Sequence, residues 1–264
     1  MRESRIRCRW LLLALCVATA PARAGEPVVV SSAETVTPMV ELYTSEGCSS
    51  CPPADRFLAK LGTLIGQDFR AVPLAFHVDY WNRLGWPDPF SSSRYTERQR
   101  LVAYRNRQSS IYTPELVVSG REARNGAWIF DRIRELNDTP ASMHIELQVD
   151  REDPDRIRAE IVFGNDAGRE ALGYVAIYEN GIIREIGGGE NRGATLYHEF
   201  VVRYWSEPYT VDIGESSTRL EVDIGADWER KNLGMAVVAV DPGDGATLQA
   251  VRVPLDILYK NNYE

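Results

Sequence analysis

The sequence predicts an α/β domain followed by an antiparallel β-sandwich-like domain, and three observations predict it. Apolar stretches of strand and helix type alternate over residues 37–139, period-two patterning takes over from residue 141, and Thr139-Pro140 falls between the two regimes. Six or more strands without an intervening helix argue for a separate antiparallel unit. The 264-residue chain could make one large domain or two small ones, each able to bury a core. No internal repeat or low-complexity tract interrupts either half.

The first 24 residues read as an export leader. Arg2, Arg5, Arg7 and Arg9 form a positive n-region, residues 10–20 are a short apolar run, and Ala22-Arg23-Ala24 is an A-x-A cleavage site. The run is too short to span a bilayer. Leu15 before Cys16 does not fit a lipoprotein site. A mature chain starting near Gly25 loses five of 30 basic and one of 38 acidic residues, leaving a net charge of −12. Such a chain does not hold nucleic acid by neutralising phosphates, and offers no basic face to an anionic membrane. The expected location is periplasmic or secreted, without stable membrane insertion.

Residues 25–36 read as a loosely held arm. Residues 37–43, with Val40, Leu42 and Tyr43, suit a buried strand that ends where Thr44, Ser45 and Gly47 break the pattern. Phe57, Leu58, Leu61, Leu64 and Ile65 make one apolar face of a helix over 54–65, closed by Gly66. Residues 71–78 predict a second strand, which runs into an aromatic loop at 79–90. Ser93 or Thr96 can cap the next helix, Thr96 with Gln99 as a capping box, with Leu101, Val102 and Tyr104 inward. A short strand at 116–118, a turn region at 120–126 and a helix at 128–136 complete this half.

Beyond Ala141, segments 142–149, 156–163, 201–205 and 219–222 alternate with period two. Residues 174–178 and 182–186 flank Glu179-Asn180-Gly181, whose Asn-Gly predicts a hairpin. Residues 235–240 and 248–253, around Asp241-Pro242-Gly243-Asp244-Gly245, predict another.

Cleavage of the leader would remove Cys8 and Cys16, leaving Cys48 and Cys51 in Gly47-Cys48-Ser49-Ser50-Cys51-Pro52-Pro53. A lone C-x-x-C in an exported chain suits thiol-disulfide exchange: one thiolate attacks a substrate disulfide and the other resolves the mixed disulfide. Cys48, nearer the strand end, is the attacking candidate and Cys51 the resolving one. A following helix would stabilise a thiolate through its N-H groups, but Pro52 and Pro53 cannot donate. Three other readings stay open. A staple closing four residues gains roughly 2 kcal/mol, against about 3 for fifteen. Zinc or copper could bind through Cys48, Cys51 and His77, although only His77, His144 and His198 exist and there is no second C-x-x-C. The pair could also be redox-capable but non-catalytic.

The stretch from Val40 to Asp55, then Phe76-His77-Val78-Asp79-Tyr80-Trp81 with Leu84-Gly85-Trp86, then Tyr112-Thr113-Pro114, resembles the exported thioredoxin-like proteins grouped as Domain of Unknown Function 1223. Gly189-Glu190-Asn191-Arg192-Gly193 and Leu196-Tyr197-His198 extend the resemblance. It implies a thioredoxin-like domain, a central mixed sheet with flanking helices, over 37–139, followed by a β-rich domain over 140–264. It also implies a cis peptide at Thr113-Pro114 beside the cysteines, with Thr113 pairing with a substrate backbone, and a buried acid near the pair, for which Glu41 is the candidate.

His77, beside Asp79, is a second proton-transfer candidate. Tyr80, Trp81 and Trp86, with Phe90, could form an apolar rim that grips an unfolded substrate, or could pack the loop against the second half. Residues 187–193 read as a turn, since no Gly-Lys-Ser/Thr ending follows the glycines, and His198 receives no chemistry. No S-x-x-K, G-x-S-x-G or H-E-x-x-H pattern supports a hydrolase. The expected function is disulfide exchange without a bound organic cofactor, with protein thiols or disulfides and an unidentified redox partner. The runner-up is a binding or assembly protein whose cysteines are passive or deliver a metal. Exchange requires both sulfurs at an accessible rim facing Thr113-Pro114.

Overall fold

The structure, a computed structural model, describes residues 27–262 apart from residue 154. The leader therefore lies outside the described residues. The chain is mixed α/β and mostly sheet. Its first half runs β1 (Val28–Ser31), β2 (Met39–Thr44), α1 (Pro52–Leu64), β3 (Val72–His77), α2 (Ser93–Arg105), β4 (Glu115–Val118), β5 (Arg121–Ala123) and α3 (Gly126–Asn137). A 3-10 segment, Asp79–Leu84, carries the aromatic loop. The second half adds β6 (Met143–Asp153), β7 (Arg156–Asn165), β8 (Ala171–Glu179), β9 (Ile182–Glu185), β10 (Thr195–His198), β11 (Val201–Trp205), β12 (Tyr209–Val211), β13 (Gly214–Asp223), β14 (Leu233–Val240) and β15 (Thr247–Pro254). Among the described residues no helix is long and apolar enough to cross a membrane.

The predicted boundary at Thr139-Pro140 does not separate two sheets. One nine-stranded sheet runs β15-β14-β8-β11-β3-β2-β4-β5, with β12 on β8, so four strands of its main path come from beyond residue 140. The reason is the edge of β3. The parallel β2–β3 pair leaves the other side of β3 open, and β11 covers it through the parallel Val201–Ala75 pairing. A second sheet, β1-β6-β7-β13, carries three of the four expected period-two segments, the fourth, 201–205, being β11 of the first sheet. β8 shows how the layers share side chains: Ala176 and Tyr178 enter the core with β2, β3 and α1, while Val175 and Ile177 enter a second core with β6 and β7.

Three local expectations are corrected. The arm is not loose, because β1 pairs along β6 from Val28–Val149 to Ser31–Glu146. Asn180-Gly181 does not close a hairpin: β8 pairs with β11, β12 and β14, while β9 turns away to pair with β10 in a separate two-stranded ribbon. α2 is capped by Ser92, whose side chain accepts from Arg94 N, and buries Tyr95, Thr96, Gln99, Val102 and Ala103. The buried face runs through Tyr95, Gln99 and Val102 at i, i+4 and i+7, which leaves Leu101 and Tyr104 exposed rather than inward. The β14–β15 hairpin forms as expected.

The two halves are also tied by a buried cation. Arg98 on α2 donates through Nε to Glu41 Oε2 at 2.7 Å, and its guanidinium lies 4.5 Å from the ring centre of Trp205 and 5.5 Å from that of Tyr174. Burial alone would lower the Arg98 pKa, but the Glu41 carboxylate holds it above the ordinary arginine value. Arg98→Met, which strands the Glu41 charge, is expected to cost about 3 kcal/mol in denaturant unfolding. Glu41→Leu in the same chain is expected to recover part of that loss, because a buried charge left alone costs more than an apolar pair.

Candidate functional site

The parallel register sets the site. Thr44 at the end of β2 lies opposite His77 at the end of β3, so both side chains leave the same face of the sheet. Thr44 Oγ1 donates to Asp55 Oδ1 on α1 at 2.9 Å, which identifies that face as the one α1 covers. Between β2 and α1 the chain makes its turn through the cysteines. Cys48 N donates to Ser45 O, Cys51 N donates to Cys48 O, and Cys51 caps α1 with Pro in its first turn.

Cys48 and Cys51 form a disulfide with Cα atoms 5.4 Å apart, within the ordinary range. Both residues are 0% exposed, while Ser49 and Ser50 face solvent. The expectation of sulfurs at an open rim is therefore not met in this closed form, because the serines form the rim and the sulfurs lie behind it. Thr113–Pro114 is cis. Thr113 Oγ1 accepts from Trp81 Nε1 at 2.8 Å, and Trp81 backs onto Gly47, where an added Cβ would meet Trp81 Cβ at 3.4 Å. Trp81 thus joins the Thr-Pro turn to the cysteine loop. Beside Pro114 lies a groove of about 450 Å³ lined by Ala54, Tyr112, Leu116, Ala123 and Arg124.

The glycine-rich segment at 187–193 is the turn between β9 and β10, and it folds back on the cysteine loop. Buried Asn191 donates through Nδ2 to the carbonyls of Glu46 and Cys48, both at 2.9 Å. Glu190 Oε2 accepts from Ser49 N at 3.1 Å and from Ser49 Oγ at 2.6 Å. Gly189, with φ +67°, permits the approach: an added Cβ would meet Trp86 Cβ at 3.0 Å and Gly47 Cα at 3.6 Å.

A buried polar cluster lies beyond the loop. Glu46 Oε2 accepts from Trp86 Nε1 at 2.7 Å, and Oε1 accepts from Arg184 Nε at 3.2 Å. His198 sits between two acids, Nε2 3.6 Å from Glu46 and Nδ1 3.9 Å from Asp55. The His77 and His198 ring centres are 5.1 Å apart, and His77 Nδ1 lies 2.7 Å from Asp88 Oδ2. His77 Nε2 and both His198 nitrogens have no hydrogen-bond partner among the described residues. Burial raises the Asp55 pKa and outweighs the opposing pull of His198, so this carboxyl keeps its proton to higher pH than a free aspartate. Burial would lower the His77 pKa, yet Asp88 raises it overall; burial would raise that of Asp88, yet His77 lowers it.

The proton-transfer candidates separate. His77 belongs to the cluster, whereas Glu41 does not: alternation along β2 turns it to the opposite face from Thr44, where Arg98 and Tyr43 hold it. The acid on the α1 face is Asp55, four residues after Cys51 and on the same side of the helix. Tyr80 and Trp86, like Trp81, turn their polar ends inward, Tyr80 OH reaching Gln99 and Trp86 Nε1 reaching Glu46. The zinc or copper set of Cys48, Cys51 and His77 is not assembled, since the sulfurs bond each other and His77 Nδ1 faces Asp88. No metal-binding group of three His, Cys, Asp or Glu occurs among the described residues. Sequence reasoning missed Glu46, Asp55, Asp88, Glu190, Asn191 and His198. Only Asp55 carried a local signal, its spacing from Cys51.

The His77–Asp88 pair gives a pH signature. The raised His77 pKa contributes stability that is full below the ordinary histidine value of 6.5 and is lost as pH rises through the folded value. The lowered Asp88 pKa contributes stability that is full above the ordinary aspartate value of 3.8 and is lost as pH falls through the folded value. Asp88→Asn is expected to lose about 3 kcal/mol at pH 6 and to flatten the alkaline decline, measured as unfolding free energy against pH.

No curated protein matches the chain. Among solved structures, a structural-genomics target from Agrobacterium tumefaciens is 26% identical, with 88% of this chain and 98% of that chain covered and a TM-score of 0.60. HBP35 of Porphyromonas gingivalis is 16% identical, with 85% and 77% covered and a TM-score of 0.68, a likeness of fold. The family described as Protein of unknown function (DUF1223) matches residues 39–240, across the cysteine loop, the Thr-Pro turn and the β9–β10 ribbon, and the chain belongs to it.

Proposed function

We propose that this chain is an exported thiol-disulfide exchange protein whose reacting part is thioredoxin-like and comprises β2, α1, β3, β4, β5 and α3. The observation that carries this reading is the Cys48–Cys51 disulfide at the start of α1, joined through Trp81 to a cis Thr113–Pro114 turn that borders an open groove. The leader pattern and the disulfide both suit an oxidising compartment such as a periplasm.

In the oxidising direction a substrate thiolate attacks Cys48 Sγ, the Cys48–Cys51 bond breaks, and Cys51 leaves with the electron pair. A second substrate thiol then loses its proton and attacks the mixed disulfide, releasing Cys48. Two electrons and two protons pass from the substrate dithiol to the cysteines, and the substrate leaves as a disulfide. The reverse sequence reduces a substrate disulfide, with Cys48 attacking and Cys51 resolving. Asp55, one helical turn beyond Cys51, is the acid suited to exchange a proton with it, and His198 and His77 extend that buried path. Thr113 and Pro114 border the approach, where an extended substrate segment lies along Tyr112 and Leu116.

The sealed sulfurs support a second reading, a binding or assembly protein that keeps the disulfide as a passive part of its scaffold. Exchange kinetics separate the two. The folded protein is expected to equilibrate with glutathione, and Cys51→Ala to accumulate a glutathione or partner adduct on Cys48, seen by peptide mass spectrometry. A native protein that neither exchanges nor forms an adduct leaves the binding reading. Asp55→Asn is expected to slow resolution at Cys51 roughly 100-fold at neutral pH while leaving formation of the Cys48 adduct nearly unchanged, in stopped-flow exchange.

A further inference from the structure

The β9–β10 ribbon brings a carboxylate to the residue next to Cys48, and the exchange chemistry above leaves that carboxylate without a role. Glu190 is exposed, and its Oε2 accepts both donors of Ser49, the backbone N-H at 3.1 Å and the hydroxyl at 2.6 Å. These bonds favour its charged form and hold its pKa below the ordinary glutamate value.

A thiolate on Cys48 would draw on nearby donors and positive potential, and this loop supplies few. Pro52 and Pro53 occupy the first two helical positions of α1 and have no N-H, and Ala54 N and Asp55 N donate to Cys51 O. Ser50 Oγ lies 3.3 Å from Cys48 Sγ, so one serine of the loop remains beside the sulfur. The donors of the other are taken by Glu190. Among the described charged groups around the loop, Arg184 is committed to Glu46, Glu46 and Asp55 flank His198, and His77 is paired with Asp88, while Arg192, two residues after Glu190 in the same turn, is exposed to solvent.

We propose that Glu190 is a positioning residue that holds Ser49 away from the Cys48 sulfur and, by its charge, raises the thiol pKa of Cys48, making the pair a weaker oxidant. This rests on the exchange reading above and adds the direction in which the poise is set. A thiol held protonated leaves the reduced form without the thiolate stabilisation that makes a dithiol pair strongly oxidising. The second half of the chain thereby tunes the reactive loop of the first.

The test uses two variants at an exposed position. Glu190→Gln removes the charge and keeps an acceptor for Ser49, whereas Glu190→Ala removes both. The Cys48 pKa is read from the pH dependence of the carbon chemical shift of Cys48 Cβ in the reduced protein, a measurement that needs no reagent to reach the sulfur. Glu190→Gln is expected to lower that pKa by about half a unit, and Glu190→Ala by more. Measured at a pH above the Cys48 pKa, the equilibrium with glutathione is expected to shift about threefold toward the dithiol in Glu190→Gln, about 14 mV at 29.6 mV per tenfold, and by more in Glu190→Ala. A Cys48 pKa unchanged or raised in both variants overturns the proposal. Failure of the unsubstituted protein to exchange with glutathione would instead overturn the function proposed above, and the chemical-shift titration would still decide the role of Glu190.

Discussion

The buried carboxylate of Glu46 is the point on which the arrangement around the cysteines depends. It sits two residues before Cys48 with no solvent exposure, and a charge in that position must be matched by donors. The donors come from separate parts of the chain: Trp86 from the aromatic loop and Arg184 from β9, with the His198 ring close by from β10. Its backbone is held as well, the N-H by Asp88 and the carbonyl by Asn191. Satisfying this one residue draws together segments that lie about 140 residues apart in the sequence. The ribbon that would otherwise project from the sheet is thereby fixed across the cysteine turn.

The sheet also partitions charge between its faces. Along β2, Glu41 and Tyr43 go to the α2 side, where Arg98 neutralises the carboxylate among Phe76, Tyr174 and Trp205. Thr44 goes to the α1 side, and three acids and two histidines gather there. The first face has a permanent cation whose charge does not vary over physiological pH. On the second face the shifts are set by burial and by pairing: burial raises the Asp55 pKa, and Asp88 raises that of His77.

The sequence made visible whatever depends on local periodicity. β2, α1, β3, β4, α3 and the β14–β15 hairpin fall where apolar spacing puts them, the cysteine pair is read from its residues, and the cis Thr113-Pro114 turn comes from the family resemblance alone. What it hid depends on partners distant in the chain. Asn180-Gly181 carries the strongest hairpin signal, yet β14 and β11 compete for both edges of β8 and win, so β9 is expelled. Glu41 was a plausible buried acid until the side of β2 facing α1 was known. Asn191 and Glu190 sit in a glycine-rich turn whose composition shows flexibility and says nothing of what the turn touches. His198 looked like an ordinary strand residue because its neighbours, Glu46 and Asp55, belong to the other half.

The span between Cys48 and Asn191, 143 residues, also bears on how the molecule is made. A chain exported unfolded and amino end first, as the proposed function requires, delivers the cysteines to the oxidising compartment before the asparagine that will hold their loop. During that interval β3 has no β11 beside it, and the enclosure around the sulfurs does not yet exist. The thiols of the nascent chain meet any oxidant as part of an open strand-and-loop segment. Their first pairing is thus decided under rules of access quite unlike those that govern the finished protein.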